Sequence, residues 1–248
     1  PCHYDCNFCL EGTIWSEELG GCIVANPADI NFDGCVQLND LLDLLSAYGD
    51  CGAEESAWQC GDPLEYQGYD YETVQIGEQC WFAENCRYLP YLNEVGNGSD
   101  TEPRYYILYE NNTDLLQAQE SLTYLEYGAL YNLPAVLVGE ALCPSGWHIP
   151  NIQEWEELGA FAAQLGPNSL KDESWDGGDS GFDAKAAGHR ADYGDYIREF
   201  EESDFWSVTV EPNCVNHVAR LMTNEVDLMT NDLMLHCESG NSVRCIKD

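Results

Sequence analysis

The densest chemistry in the chain lies between residues 29 and 40. Asp29, Asn31, Asp33, Gln37 and Asp40 place oxygen-bearing side chains at positions 1, 3, 5, 9 and 12 of one stretch, with Gly34 at position 6. A hard divalent cation such as calcium is held by several oxygens. Alternate residues of a tight loop point inward, position 7 offers its carbonyl (here that of Cys35), and glycine at position 6 permits the sharp turn. The order predicts calcium held by Asp29, Asn31, Asp33, Cys35, Gln37 and Asp40. Leu41, Leu42, Leu44, Leu45 and Tyr48 follow at helical spacing, and Gly49 ends that helix. Cys35 and Cys51 flank it and can close a loop of about 16 residues, worth roughly 3 kcal/mol when unstrained.

Sulfur is the second signal. The chain has 13 cysteines, spread from Cys2 to Cys245 without a four-ligand cluster. That distribution predicts a disulfide framework made outside the cytosol, with Cys60 and Cys80 among its candidates. The count is odd, so at least one thiol is free, pairs with another chain or binds something else. Asn97-Gly98-Ser99 and Asn111-Asn112-Thr113 are sequons, which makes Asn97 and Asn111 glycosylation candidates in an exported protein.

Charge excludes whole classes of partner. Nine Lys and Arg against 45 Asp and Glu leave a formal −36, and no Lys or Arg precedes Arg87. Nucleic acid needs a basic surface to displace counterions, and an anionic membrane needs the same. Such self-repulsion is relieved by salt or divalent cations, which suits a saline, calcium-containing exterior. There is no run of 18 apolar residues, so no membrane insertion is expected. The chain opens with Pro1-Cys2-His3 and carries no signal peptide, so an exported form is expected to have lost its leader or to derive from a longer precursor. No G-x-S-x-G, H-E-x-x-H or P-loop pattern occurs, and the expectation is that the protein is not an enzyme.

The elements that must position these groups divide into four segments: a Cys-rich, patternless stretch over 1–27, the loop and helix over 28–51, a linker over 52–59, and a large domain over 60–248. In the large domain, strands are predicted at Tyr71–Ile76, Gln79–Phe82, Trp206–Val210, His217–Met222, Leu233–His236 and Val243–Ile246. One helix is strongly marked. Asn151 and Glu154 form a capping box, Ile152, Trp155, Leu158, Ala162 and Leu165 share a face, and Gly166-Pro167 stops it. A weaker helix is predicted over Asp114–Leu125. Few helices over many short antiparallel strands make an α+β domain.

Two resemblances sharpen this outline. Residues 29–49 resemble one repeat of a dockerin, the calcium-loop-plus-helix module of extracellular bacterial proteins, although a full dockerin has two. The large domain resembles the Fibrobacter succinogenes major paralogous domain family. The stretches that carry this resemblance are Thr73 to Asn85, Leu130-Tyr131-Asn132, Cys143 to Pro150, Glu154-Trp155, Gly181-Phe182, Gly188-His189-Arg190, Phe205-Trp206-Ser207 and Ser242 to Asp248. The resemblance implies an exported protein with a C-type-lectin-like, disulfide-stapled fold. It implies Cys143–Cys245 and Cys214–Cys237 bridges, and a candidate sugar and calcium site at Glu211, Asn213, Asn231 and Asp232, since carboxylate and amide oxygens suit both ligands. Trp81, Trp147, Trp155, Phe205 and Trp206 lie in the shared motifs and are expected in the core. Cys86 replaces an apolar residue of the family and is the first candidate for the odd cysteine, and hence for a covalent link between chains.

The reading that results is a secreted, non-catalytic cell-surface module that binds a glycan or another surface ligand. The alternative is a structural subunit whose copies self-assemble into an extracellular filament or surface layer, stabilised by calcium and disulfides.

Overall fold

The computed structural model describes residues 13–16, 21–24, 38, 58–110, 114–138, 142–175, 177–223, 225, 228–230 and 234–248. The chain divides into two compact units, Pro1–Trp58 and Gln59–Asp248. In the first, β1 (Thr13–Ser16) pairs antiparallel with β2 (Gly21–Val24), with Ile14 opposite Ile23 and Trp15 opposite Cys22. The expected patternless stretch therefore contains a hairpin, built from the β-branched and aromatic residues that favour extended backbone.

The second unit is α+β with disulfides. A hairpin of β3 (Leu64–Tyr66) and β4 (Tyr69–Tyr71) leads into a four-stranded sheet, order β5 (Thr73–Ile76), β6 (Gln79–Phe82), β15 (Ile246–Lys247), β9 (Trp147–His148). The last strand thus lies inside the sheet, Ile246 being opposite both Trp81 and His148. A second sheet joins β12 (Glu202–Glu211), β13 (Val215–Met222) and β14 (Met234–His236). Two-residue strands complete the scaffold: β7 (Tyr105–Tyr106) with β8 (Leu130–Tyr131), and β10 (His189–Arg190) with β11 (Tyr196–Ile197).

Helix α4 (Ile152–Leu165) has the predicted reciprocal cap: Asn151 accepts from the Gln153 and Glu154 amides, and Glu154 accepts from the Asn151 amide. Its Trp155, Leu158 and Ala162 enter a core with Trp81, Phe182, Phe205 and Ile246. The rings of Trp81 and Trp155 lie 4.8 Å apart, and those of Trp155 and Phe205 5.3 Å apart. The buried indoles also satisfy their N–H groups. Trp155 donates to the Trp206 carbonyl at 3.3 Å, and Trp206 to the Tyr131 carbonyl at 2.6 Å.

Several expected elements are redrawn. The Tyr71–Ile76 strand is split at Glu72, where the chain leaves β3 as its partner and takes up β6. The single helix over Asp114–Leu125 is two, α1 (Leu115–Gln119) and α2 (Leu122–Tyr127), because Ser121 starts a new cap by accepting from the Tyr124 amide. A further helix, α3 (Leu133–Leu137), absent from the expected elements, begins at an Asn132 cap with Pro134 in its first turn. The expected Val243–Ile246 strand contracts to Ile246–Lys247. Before it, Val243 and Cys245 are tied singly, by Cys86 N–H to Val243 O at 2.9 Å and Phe82 N–H to Cys245 O at 3.0 Å.

Gly188 introduces β10 at φ +62, and a Cβ there would meet the Ile197 carbonyl and sit 2.6 Å from the Glu199 nitrogen. Both neighbours are backbone and cannot step aside. Gly188→Ala is therefore expected to cost at least about 1–3 kcal/mol, read as a lower urea midpoint with an unchanged slope.

Candidate functional site

A cleft of about 840 Å³ opens on the large unit, lined by Glu72, residues 83–85, Arg87, Leu125, Glu126, and side chains from a loop running from Asp172 to Lys185, with Arg244 beneath. Seven of its lining residues are carboxylates and three are cations. Each wall has an identifiable support. The β6 exit is held by Asn85, which is buried and donates to the Tyr127 carbonyl at 2.9 Å and to Ser242 Oγ at 3.2 Å. Arg87 donates to the Leu125 carbonyl at 2.7 Å and lies 4.0 Å from the centre of the Tyr69 ring, fixing the end of α2. On the opposite wall, Asp172 is paired with Lys185 and accepts from Ser174 Oγ at 3.0 Å.

Arg244 forms the floor, 1% exposed. It donates to Asn85 Oδ1 at 2.9 Å and to the carbonyls of Phe82, Phe182 and Asp183, while its guanidinium lies over the Phe182 ring at 4.2 Å. Burial drives its pKa down to about 9, partly offset by Glu84 and Asp183, so it is cationic at neutral pH. Burial also raises Glu84 above the ordinary carboxylate range, against the pull of Arg87 and Arg244. The cleft is thus a water-facing, net-negative surface with one fixed positive charge below it. Such a lining offers hydrogen-bond acceptors and donors to hydroxyl groups and repels anions.

Behind β10 lies a separate buried ion cluster. Nδ1 of His189 is 3.0 Å from both Glu202 Oε1 and Asp204 Oδ2, and all three residues are buried. Arg220 clamps Asp204 through two nitrogens, at 2.5 and 2.6 Å, and Arg198 reaches Glu202 at 3.3 Å. His189, Glu202 and Asp204 could bring three ligand atoms to one metal ion, all within 4.8 Å of one another. Arg220 already supplies positive charge to both carboxylates, and a divalent ion would add to it without solvent. An ionic network with a protonated histidine balances the charges better. Burial alone would lower the His189 pKa. Pairing with Asp204 and Glu202 outweighs it and raises the value to about 9.

The sequence candidates are distributed as follows. Disulfides join Cys60 to Cys80, Cys143 to Cys245 and Cys214 to Cys237. Cys86 is the free cysteine among the described residues, and it is fully buried. A direct bond from Cys86 to another chain, expected from the odd count, has no access in this structure. Glu211 ends β12 and pairs with His217 at 3.1 Å, while Asn213 occupies an exposed left-handed turn at φ 69. Asn231 and Asp232 lie outside the described residues, as do Asp29, Asn31, Asp33, Cys35, Gln37, Asp40, Cys51 and Asn111. Asn97 is exposed and accepts from the Tyr106 hydroxyl through its carbonyl at 2.8 Å. Trp81, Trp155, Phe205 and Trp206 are 0% exposed and Trp147 8%, so none offers a stacking face. His148 bridges Glu154 and Asp248 at 2.8 and 2.6 Å.

The cleft itself was missed. Its residues come from five separate stretches, none of which forms a pattern alone. A partial signal existed: Asn85 and Arg244 each stand inside a stretch that carries the family resemblance, and their contact forms the floor.

The model of a family described as the Fibrobacter succinogenes major domain matches residues 74–247. No curated protein and no solved structure matches the chain.

The ion cluster makes stability depend on pH with a definite sign. His189 is raised from 6.5 in the unfolded chain to about 9 in the fold, so its contribution is complete below pH 6.5 and is lost as pH rises through about 9. Urea unfolding from pH 6.5 to 10 is expected to show this decline in the wild type and not in His189→Gln. The variant is expected to be about 3 kcal/mol less stable at pH 6.5, because it leaves buried carboxylates short of a partner.

Proposed function

The chain belongs to the Fibrobacter succinogenes major domain family, and on that premise we propose that it is a secreted, non-catalytic surface module that binds a neutral glycan in the acidic cleft. The observation that carries this is the lining: seven carboxylates, an amide and three cations around about 840 Å³, with Leu125 the one large apolar side chain. Vicinal hydroxyls suit such a mixture of acceptors and donors, and the net charge disfavours acidic sugars. The disulfide framework and the absence, among the described residues, of a helix long and apolar enough to cross a membrane are compatible with an exported protein.

Two finer statements belong to the same proposal. The domain is C-type-lectin-like, a reading supported by the bridge from the segment before α4 to the last strand and by the second bridge beside β13 and β14. Calcium occupies the loop formed by Asp29, Asn31, Asp33, Cys35, Gln37 and Asp40 and stabilises the N-terminal unit, a reading supported by the order of oxygen ligands. Glu211 and Asn213 are secondary candidates for sugar contact, since Glu211 is already engaged with His217.

A second reading, self-association into an extracellular assembly, is favoured by one observation. Leu116 on α1 and Leu122 on α2 are 75% and 81% exposed on neighbouring short helices. Concentration-dependent mass by light scattering, without any glycan binding, would favour it.

A glycan array followed by titration calorimetry tests the cleft. Neutral oligosaccharides are expected to bind, and Glu84→Gln with Glu126→Gln is expected to weaken them at least about tenfold, by removing charge-assisted hydrogen bonds. Full affinity in that double variant, or selective binding of uronic acids, would overturn the assignment. Separately, calorimetry with calcium alone is expected to give one binding event that Asp29→Ala with Asp33→Ala abolishes.

A further inference from the structure

The cleft and the ion cluster make no use of the buried thiol. Sγ of Cys86 lies 3.4 Å from Sγ of Cys245, which is itself bonded to Cys143, and the three sulfurs fall within 4.8 Å of one another. Cys86 and Cys245 are 0% exposed, whereas Cys143 is 8% exposed. The backbone holds the inner pair together whichever sulfurs are bonded: Cys86 N–H donates to Val243 O at 2.9 Å, and Phe82 N–H to Cys245 O at 3.0 Å. The Leu142 carbonyl lies 3.6 Å from the Cys86 sulfur and 3.5 Å from that of Cys245.

We propose that Cys86, Cys143 and Cys245 form an exchangeable thiol–disulfide triad that can deliver the free thiol from the core at Cys86 to a modifiable position at Cys143. In the step, the Cys86 thiolate attacks Sγ of Cys245. The Cys86–Cys245 bond forms as the Cys245–Cys143 bond breaks, and Cys143 departs as a thiolate that regains the proton lost at Cys86. One disulfide and one thiol stand on each side, so no oxidant or reductant is consumed. The last strand stays tied in both states, to the β6 exit in one and to the segment before α4 in the other.

Two features make the exchange slow at neutral pH. Burial pushes the Cys86 thiol up to about 12, against the nearby Arg244. The sulfurs also form a triangle rather than the line that attack requires, so a side-chain rotation must precede each transfer. Below its pKa the thiolate fraction rises about tenfold per pH unit, and uncatalysed disulfide rearrangement runs over minutes to hours. Exchange should therefore be visible on the bench at mildly alkaline pH. The chemical class that Cys143 would then accept is a soft electrophile or a second thiol, through a mixed disulfide.

The test uses the full chain held at pH 7, 8 and 9 with iodoacetamide in the native state, then quenched in acid and mapped by peptide mass spectrometry. The expected result is alkylation of Cys143 accompanied by a Cys86–Cys245 disulfide, with a rate rising about tenfold per pH unit and no Cys143 label in Cys86→Ala. A Cys143–Cys245 bond that stays intact at every pH, with Cys86 unlabelled until denaturation, would overturn the proposal. Cys143→Ser gives an independent reading: a folded variant is expected to contain the Cys86–Cys245 bond, and free thiols at both positions would contradict it. Should that variant fail to fold, the wild-type mapping decides alone.

Discussion

The large unit depends on the threading of its last residues, 240–247, through the middle of everything else. Gly240 and Asn241 bond to Arg190 and Tyr131, and Ser242 accepts from the Trp206 amide at 3.0 Å. Val243 and Cys245 accept from Cys86 and Phe82, and Ile246 then sits between β6 and β9. Alternate residues do different work: Arg244 turns into the cleft floor, and Cys245 turns toward Cys143 and Cys86. Residues more than a hundred positions apart must therefore be in place before this segment can dock. That is a large closure cost, which the buried aromatic core and the Cys143–Cys245 link offset.

A second constraint is the use made of scarce positive charge. The chain has nine Lys and Arg, and three of them, Lys171, Arg190 and Arg244, are 0–1% exposed. Their donors reach carbonyl oxygens of distant segments. Lys171 bonds to the carbonyls of Met222 and Glu225, and Arg190 to those of Val95 and Glu238. A buried cation is ordinarily costly. Here several carbonyl dipoles and an acidic surface around the domain compensate it, and each cation joins loops that strands of two or three residues could not hold alone. The cleft inherits its shape from one of these centres, since Arg244 gathers the exit of β6 and the loop at Asp183.

How much of this was legible in the sequence depended on distance along the chain. The cap and face of α4 were legible because Asn151, Glu154, Trp155 and Leu158 act within a few turns of one another. The β5–β6 hairpin was legible for the same reason. The split of the Asp114–Leu125 helix was not, since a serine in a helical run signals a cap only when the next turn is known to start there. Nor was the cleft. Glu84, Asp172 and Arg244 carry no local pattern, and only the tertiary fold brings their segments together. An odd cysteine suggests a partner chain, but Cys86 is free and fully buried, with Sγ of Cys245 3.4 Å away, and no local pattern signals that burial.

The most direct test of the account is native-state hydrogen exchange at the amides of Phe82, Cys86 and Trp206, whose acceptors all lie between Ser242 and Cys245. If residues 240–247 organise the unit, these three amides should exchange only through global unfolding, with one shared free energy equal to that from urea denaturation. Exchange at a much lower free energy, through local opening of the terminal segment while α4 stays protected, would contradict that claim.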